Sequence, residues 1–241
     1  MLLLTGDIHG DTYRLKEYNN ILCENDYLIV CGDLGIGMFE VENLYQLKYK
    51  LLFVDGNHEN FDMLNSMKVT MWNGGKTHQI IKDRVIHLMR GQVFIIENKK
   101  IFTFGGARSV DVEAGIFEMD DPEIAFKIHR ARMCRQRFRI NHLDWWEEEM
   151  PSEAEYKEAL CNLDKHNNNV DYIITHCAST SMLPMLGLEL GYRMRGDKQT
   201  DYFNNIEDKV NFKQWYFGHY HRDIDIDDKH KVTYKYLYEL K

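Results

Sequence analysis

Leu2-Leu3-Leu4-Thr5-Gly6-Asp7-Ile8-His9-Gly10 sets a short strand-forming run against a loop of glycine, aspartate and histidine. The arrangement recurs twice. Tyr27–Cys31 runs into Gly32-Asp33, and Leu51–Val54 runs into Gly56-Asn57-His58-Glu59. Amphipathic stretches at Asp11–Leu22 and Glu40–Lys48 separate the three runs, so the order predicts βαβαβ and an α/β class fold. The strands are apolar almost throughout, as a parallel sheet covered on both faces requires. Open α/β sheets collect their ligands at the carboxyl ends of the strands, where these three loops lie.

Farther along, from Val69 to Gly106, short runs alternate with turn signals, and Gln92–Ile96 and Lys100–Phe104 read as a hairpin joined through Asn98-Lys99. Asp121-Pro122-Glu123 predicts a helix start, with the helix running to about Ile140. Ser152 and Glu155 form a capping-box pattern for a helix to about His166. Val170–Thr175 predicts a strand ending at His176, Trp215–Gly218 another ending at His219-Tyr220-His221, and Lys231–Leu237 a closing strand. No repeat or linker interrupts the pattern, which reads as one domain over 1–241 with a helical basic insertion at about 113–142.

The net charge of −8 excludes an overall basic field that would gather nucleic acid. Five cysteines without a C-x-x-C pair argue against a disulfide framework or a zinc–thiolate site. The apolar start is cut off at Thr5-Gly6-Asp7, too early for a signal-peptide core, and no run approaches the ~20 apolar residues of a membrane span. A cytoplasmic protein that does not act at a membrane is expected.

Five histidines sit at predicted strand ends: His9, His58, His176, His219 and His221. Together with Asp7, Asp33 and Asn57 they offer imidazole, carboxylate and amide donors, a set suited to two divalent metal ions such as manganese, iron or zinc rather than calcium or Cu(I). Asp7 and His9 are two apart, as are His219 and His221, so extended backbone would turn each pair to one face.

In that order and with those intervals, Asp7-x-His9, Gly32-Asp33, Gly56-Asn57-His58-Glu59, His176 and Gly218-His219-x-His221 resemble the calcineurin-like metallophosphoesterase superfamily. The resemblance implies a four-layer αββα sandwich. It also implies that Asp7, His9 and His221 hold one metal, that Asn57, His176 and His219 hold the other, that Asp33 bridges them, and that His58 protonates the leaving group. Two cations ~3.5–4 Å apart would acidify a bridging water, and the resulting hydroxide would attack phosphorus in line. Manganese is the expected metal, with iron or zinc as alternatives. Glu59 is expected to help orient the loop.

Two positions depart from the Ser/Thr protein phosphatases of the superfamily: Ile36 and Gly37 stand where those enzymes carry an Asp and a phosphate-gripping Arg. Gly105-Gly106-Ala107-Arg108-Ser109-Val110-Asp111 and Trp145-Trp146-Glu147-Glu148-Glu149 are similar to a bacterial and phage group of the superfamily. Arg108 after two glycines is a candidate replacement clamp, with Asp111 orienting it or His58. Arg135, on the apolar face of the predicted helix, is a third candidate substrate contact. The six Lys or Arg of Lys127–Arg139 are read as a solvated face answering the acids of Glu147–Glu158, the alternative being a basic lid. His78, His87, His129, His142, His166 and His230 are read as surface or packing residues, Cys177 as a buried filler and Trp145-Trp146 as core. The expected substrate is a phosphorylated small molecule or nucleotide. A nuclease acting on nucleic acid and a non-catalytic metal-binding scaffold are the alternatives, and the oligomeric state stays open.

Overall fold

In the computed structural model, which describes residues 1–241, the first strand packs alternate side chains into two different cores. Leu2 and Leu4 point to one and Leu3 to the other, because successive side chains of a strand face opposite ways. The strands are β1 (Leu2–Thr5), β2 (Tyr27–Cys31), β3 (Lys50–Val54), β4 (Val69–Trp72), β5 (Gly75–Ile81), β6 (Val85–Leu88), β7 (Gln92–Ile96), β8 (Lys99–Phe104), β9 (Ile116–Phe117), β10 (Arg139–Ile140), β11 (Tyr172–Thr175), β12 (Gln214–Phe217), β13 (Ile224–Asp225), β14 (His230–Val232) and β15 (Tyr238–Glu239). The helices are α1 (Thr12–Glu17), α2 (Phe61–Ser66), α3 (Ile124–Met133), α4 (Glu153–Lys165), α5 (Leu183–Leu190) and α6 (Lys198–Lys209).

One sheet has the order β15-β1-β2-β3-β6-β5-β4 and the other β13-β14-β12-β11-β8-β7. Within them β1, β2, β3 and β6 run parallel, as do β8, β11, β12 and β14. Leu4, Ile29, Leu52 and Ile86 of the first sheet share a core with Phe94, Ile101, Ile174 and Tyr216 of the second, so the sheets pack face to face. The outer face of the first sheet is covered by Leu15 of α1 and Leu64 of α2. The outer face of the second is covered by Ala159 and Leu163 of α4, Leu186 of α5 and Phe203 of α6. This is the expected mixed α/β sandwich, two sheets flanked by helices. The β7–β8 hairpin forms, but its turn is Glu97-Asn98 rather than Asn98-Lys99: both residues have positive φ, the backbone of a two-residue type I′ turn, and Lys99 is already paired with Ile96. The capping box at Ser152 and Glu155 forms as read.

Several local expectations are corrected. Residues 41–46 form a 3₁₀ helix rather than an α-helix. The helix expected to reach Ile140 ends at Met133: Arg135 adopts φ 54°, and Arg139–Ile140 pairs with Ile116–Phe117 as a separate two-stranded sheet. The closing strand is split. His230–Val232 extends the second sheet, and Tyr238–Glu239 returns antiparallel to β1 in the first. Between them the carboxylate of Asp223 accepts the backbone N–H groups of Tyr234, Lys235 and Tyr236, which takes these residues out of either ladder. The basic residues of Lys127–Arg139 form no ion pairs with the acids of 147–158. Lys127 pairs with Asp121, Arg137 with Glu113 and Arg139 with Asp111.

Candidate metal centre

Six loops leave the carboxyl ends of parallel strands, three from each sheet, and meet at one edge of the sandwich. They carry Asp7, Asp33 and Asn57 from the first sheet, and Ser109, His176 and His219 from the second. The extended-pair reading of Asp7/His9 and His219/His221 does not hold. His9, Asp33, His219 and His221 have φ of 48°, 50°, 70° and 50°, the left-handed region, so the loops curl instead of continuing their strands. Non-glycine residues there are strained by about 1–3 kcal/mol each and persist where surrounding contacts over-determine them. Two glycines permit the close packing. A Cβ on Gly56 would lie 1.9 Å from Asp33 Oδ1, and one on Gly218 would lie 2.2 Å from Asp7 Oδ1.

The side chains converge with their donor atoms inward. His9 Nε2 is 2.8 Å from His221 Nε2, and Asp7 Oδ2 lies 3.0 Å from His221 Nε2 and 3.7 Å from His9 Nε2. Neither contact of Asp7 Oδ2 has hydrogen-bonding geometry, so this buried oxygen has no hydrogen bond. Its partner oxygen, Oδ1, accepts the backbone N–H of His219 at 2.9 Å. Asp33 Oδ2 sits between two groups, 3.6 Å from His9 Nε2 and 3.4 Å from His176 Nε2, and Asn57 Oδ1 is 3.2 Å from His176 Nε2. Three overlapping sets of donors lie close enough to hold a cation: Asp7, His9 and His221; Asp7, Asp33 and His176; and His9, Asp33 and His58. Two carboxylates, several imidazoles and an amide oxygen fit borderline-hard divalent ions.

The carboxylates and imidazoles of the cluster shift one another's ionisation. Burial opposes ionisation of Asp7, but His221 and His9 beside it hold its carboxyl well below the usual carboxylate range. Burial likewise opposes the charge on Asp33, which His176, His58 and His9 outweigh in the same direction. Burial disfavours a charged His176, yet Asp33 and Asp7 raise it to about 9, while burial and His176 together lower His219 to about 4. Burial lowers His58 against the pull of Asp33.

A family model for calcineurin-like phosphoesterases matches residues 1–223. The chain belongs to this family. No curated protein matches it. The match to the calcineurin-like family takes in every residue of the cluster and ends just after His221.

Outer partners set the tautomers and rotamers in this calcineurin-like centre. His176 Nδ1 faces the carbonyl oxygen of Cys31 at 2.8 Å and donates to it, so that Nε2 is the nitrogen turned inward. Arg14 donates to the carbonyl of Asp7 at 2.7 Å, and the His221 ring stacks on Tyr234 at 5.1 Å. Glu59, expected to orient its own loop, instead accepts the N–H groups of Leu34, Gly35 and Ile36 and so anchors the loop of Asp33. Asn57 Nδ2 donates to Ser109 Oγ at 3.2 Å, and Ser109 Oγ in turn donates to Glu149 Oε2 at 2.6 Å. This chain fixes which end of the amide faces inward. Ser109 and Glu149 belong to the two motifs at 105–111 and 145–149, and only their tertiary contact reveals a shared task.

Beside the cluster lies a cavity of about 730 Å³ whose walls include Asn57, His58, His219 and His221 together with Arg108 and Asp111. Asp111 does not serve Arg108; its carboxylate is paired with Arg139. Arg135 is exposed past the end of α3 and does not line the cavity, because the helical face that pointed to it stops short of it. His78 and His87 are buried in a chain of contacts. His78 Nδ1 meets His87 Nδ1 at 3.1 Å, His87 Nε2 meets Asp55 Oδ1 at 3.0 Å, and Arg90 donates to Asp55 Oδ2 at 2.8 Å. Trp146 and Cys177 are buried in core positions. No helix is long and apolar enough to cross a membrane.

Proposed function

We propose that the chain is a dinuclear metal-dependent phosphoesterase hydrolysing phosphomonoesters or phosphodiesters. Asp7, His9 and His221 hold one divalent cation, Asn57, His176 and His219 the other, and Asp33 is shared between them. The observation that carries this reading is the buried, unbonded Oδ2 of Asp7 among the Nε2 atoms of His9 and His221, beside an Asp33 oxygen that faces both His9 and His176. A buried carboxylate oxygen without a partner is costly unless a cation completes it. When bound, two such ions, manganese by preference with iron or zinc as alternatives, supply an acidified water and positive charge against the phosphoryl oxygens.

The remaining work falls to the protein. His58, half-buried on the cavity wall next to Asn57, donates the proton that the leaving oxygen takes up. Burial lowers its pKa, and an anionic phosphoryl group arriving beside the ring restores the protonated form. Arg108 reaches the same cavity and offers a fork to a phosphoryl oxygen. Ser109 and Glu149 keep the Asn57 amide oriented.

The test is phosphate or alcohol release from aryl phosphomonoesters and phosphodiesters by protein loaded with manganese. Turnover that vanishes with a chelator and returns with the metal supports the reading, and no turnover of either ester class with metal bound contradicts it.

A further inference from the structure

Arg108, Arg193 and Arg195 line the cavity beside the metal centre, and none of the three makes an ion pair or a side-chain hydrogen bond. The cavity's acids are engaged elsewhere. Asp111 pairs with Arg139, Asp197 caps α6 through the N–H groups of Gln199 and Thr200, and Asp33 belongs to the cluster. In a chain of net charge −8, the lining of this cavity therefore includes three guanidinium groups without an acid paired to them.

The loop that brings Arg193 and Arg195 there is held at both ends. α5 stops at Gly191 with φ 78°, and Tyr192 donates its N–H back to the carbonyl of Gly187. At the far end Asp197 caps α6, and its own N–H donates to Thr200 Oγ1 at 2.8 Å. Gly196 packs so closely that a Cβ there would meet Thr180 Oγ1 at 2.8 Å. Two exposed arginines on a loop anchored at both ends thus share one cavity with a third, the exposed Arg108.

We infer that the arginines at 193 and 195 bind a second phosphoryl group, so that the chain acts on small molecules carrying one phosphate at the metal centre, beside Arg108, and another at Arg193 and Arg195. The inference rests on the phosphoesterase reading above. Guanidinium groups match phosphate oxygens two at a time and stay charged throughout the physiological range. Cavities of about 300–1,000 Å³ enclose whole organic ligands, so about 730 Å³ leaves room for more than the scissile group.

The experiment uses manganese-loaded protein and a matched pair of non-hydrolysable probes: a butyl chain with a phosphonate at each end, and the same chain with one. Calorimetric titration should show the bisphosphonate binding at least tenfold tighter. The double variant R193A/R195A should abolish that difference, and R193K/R195K should restore part of it. Equal affinity for the two probes in the unaltered chain, or a difference that survives R193A/R195A, overturns the inference. A single-stranded oligonucleotide that binds more tightly per phosphate than the bisphosphonate also overturns it, since these arginines would then serve a polymer. Turnover is followed separately on adenosine monophosphate and on an adenosine bisphosphate with its phosphates on two ribose hydroxyls. If the binding difference is present but neither ester is hydrolysed, the second phosphate site stands and the phosphoesterase reading falls.

Discussion

The backbone N–H of His58 donates to Asp33 Oδ1 at 2.8 Å. One oxygen of Asp33 thus holds the loop of the proposed proton donor, while the other faces His9 and His176 at 3.6 and 3.4 Å. A single buried carboxylate joins the proposed ligand set to the proposed proton donor and ties the loop after β2 to the loop after β3.

His58 stands close enough to His9 and Asp33 to count as a cation ligand in its own right, so its role needs a measurement that separates ligation from proton transfer. His58→Ala should keep the metal content and lower turnover by about 10²–10⁴-fold. The loss should shrink for leaving groups of low pKa, which need no proton. Rates and metal content measured across a series of aryl esters check this, and a uniform loss accompanied by loss of metal would make His58 a ligand.

Ser109→Ala removes the acceptor that fixes the Asn57 amide, leaving the amide free to turn its nitrogen inward. Outer partners of metal ligands are worth about 10–100-fold in affinity. Competition against a fluorescent chelator should show a drop of that size for one metal of the two, with the other retained. An unchanged affinity for both would mean that Asn57 is oriented by its neighbours alone.

Burial, aided by the neighbouring His87 and opposed by Asp55, lowers His78 to about 4, against an ordinary value near 6.5. Between these values the unfolded chain takes up a proton that the folded chain refuses. The stability from keeping this imidazole neutral is therefore complete above about pH 6.5 and declines as pH falls toward 4, by an amount of order 3 kcal/mol. Urea denaturation at pH 7.5 and at about pH 4.5 should show a smaller acid loss for His78→Gln than for the unaltered chain. An equal loss would place the acid sensitivity elsewhere.

The centre was legible where chemistry is local in sequence. Each loop of Gly, Asp, Asn and His follows an apolar run, and parallel strands bring such loops to one edge whatever lies between them. The alternation of Leu2, Leu3 and Leu4 likewise specifies a strand covered on both sides. What escaped the sequence depends on distant partners. The positive φ of His9 and His219 is imposed by Asp33 and Asp7, whose groups lie across the sheet edge. Arg139 is drawn out of the predicted helix by Asp111 and by pairing with β9, contacts that helical periodicity cannot register. The link from Asn57 through Ser109 to Glu149 spans 92 residues of chain between its ends, 149 − 57, and no spacing rule covers it. The arginines at 193 and 195 lie in a loop without a recognisable motif, and only the cavity they share with Arg108 gives them meaning.

Elemental analysis of manganese-loaded, desalted protein measures directly whether two cations share Asp33: two manganese ions per chain are expected in the unaltered protein, and a loss at both sites together in Asp33→Asn. One ion or none in the unaltered protein, or an Asp33→Asn variant that still holds two, would contradict it.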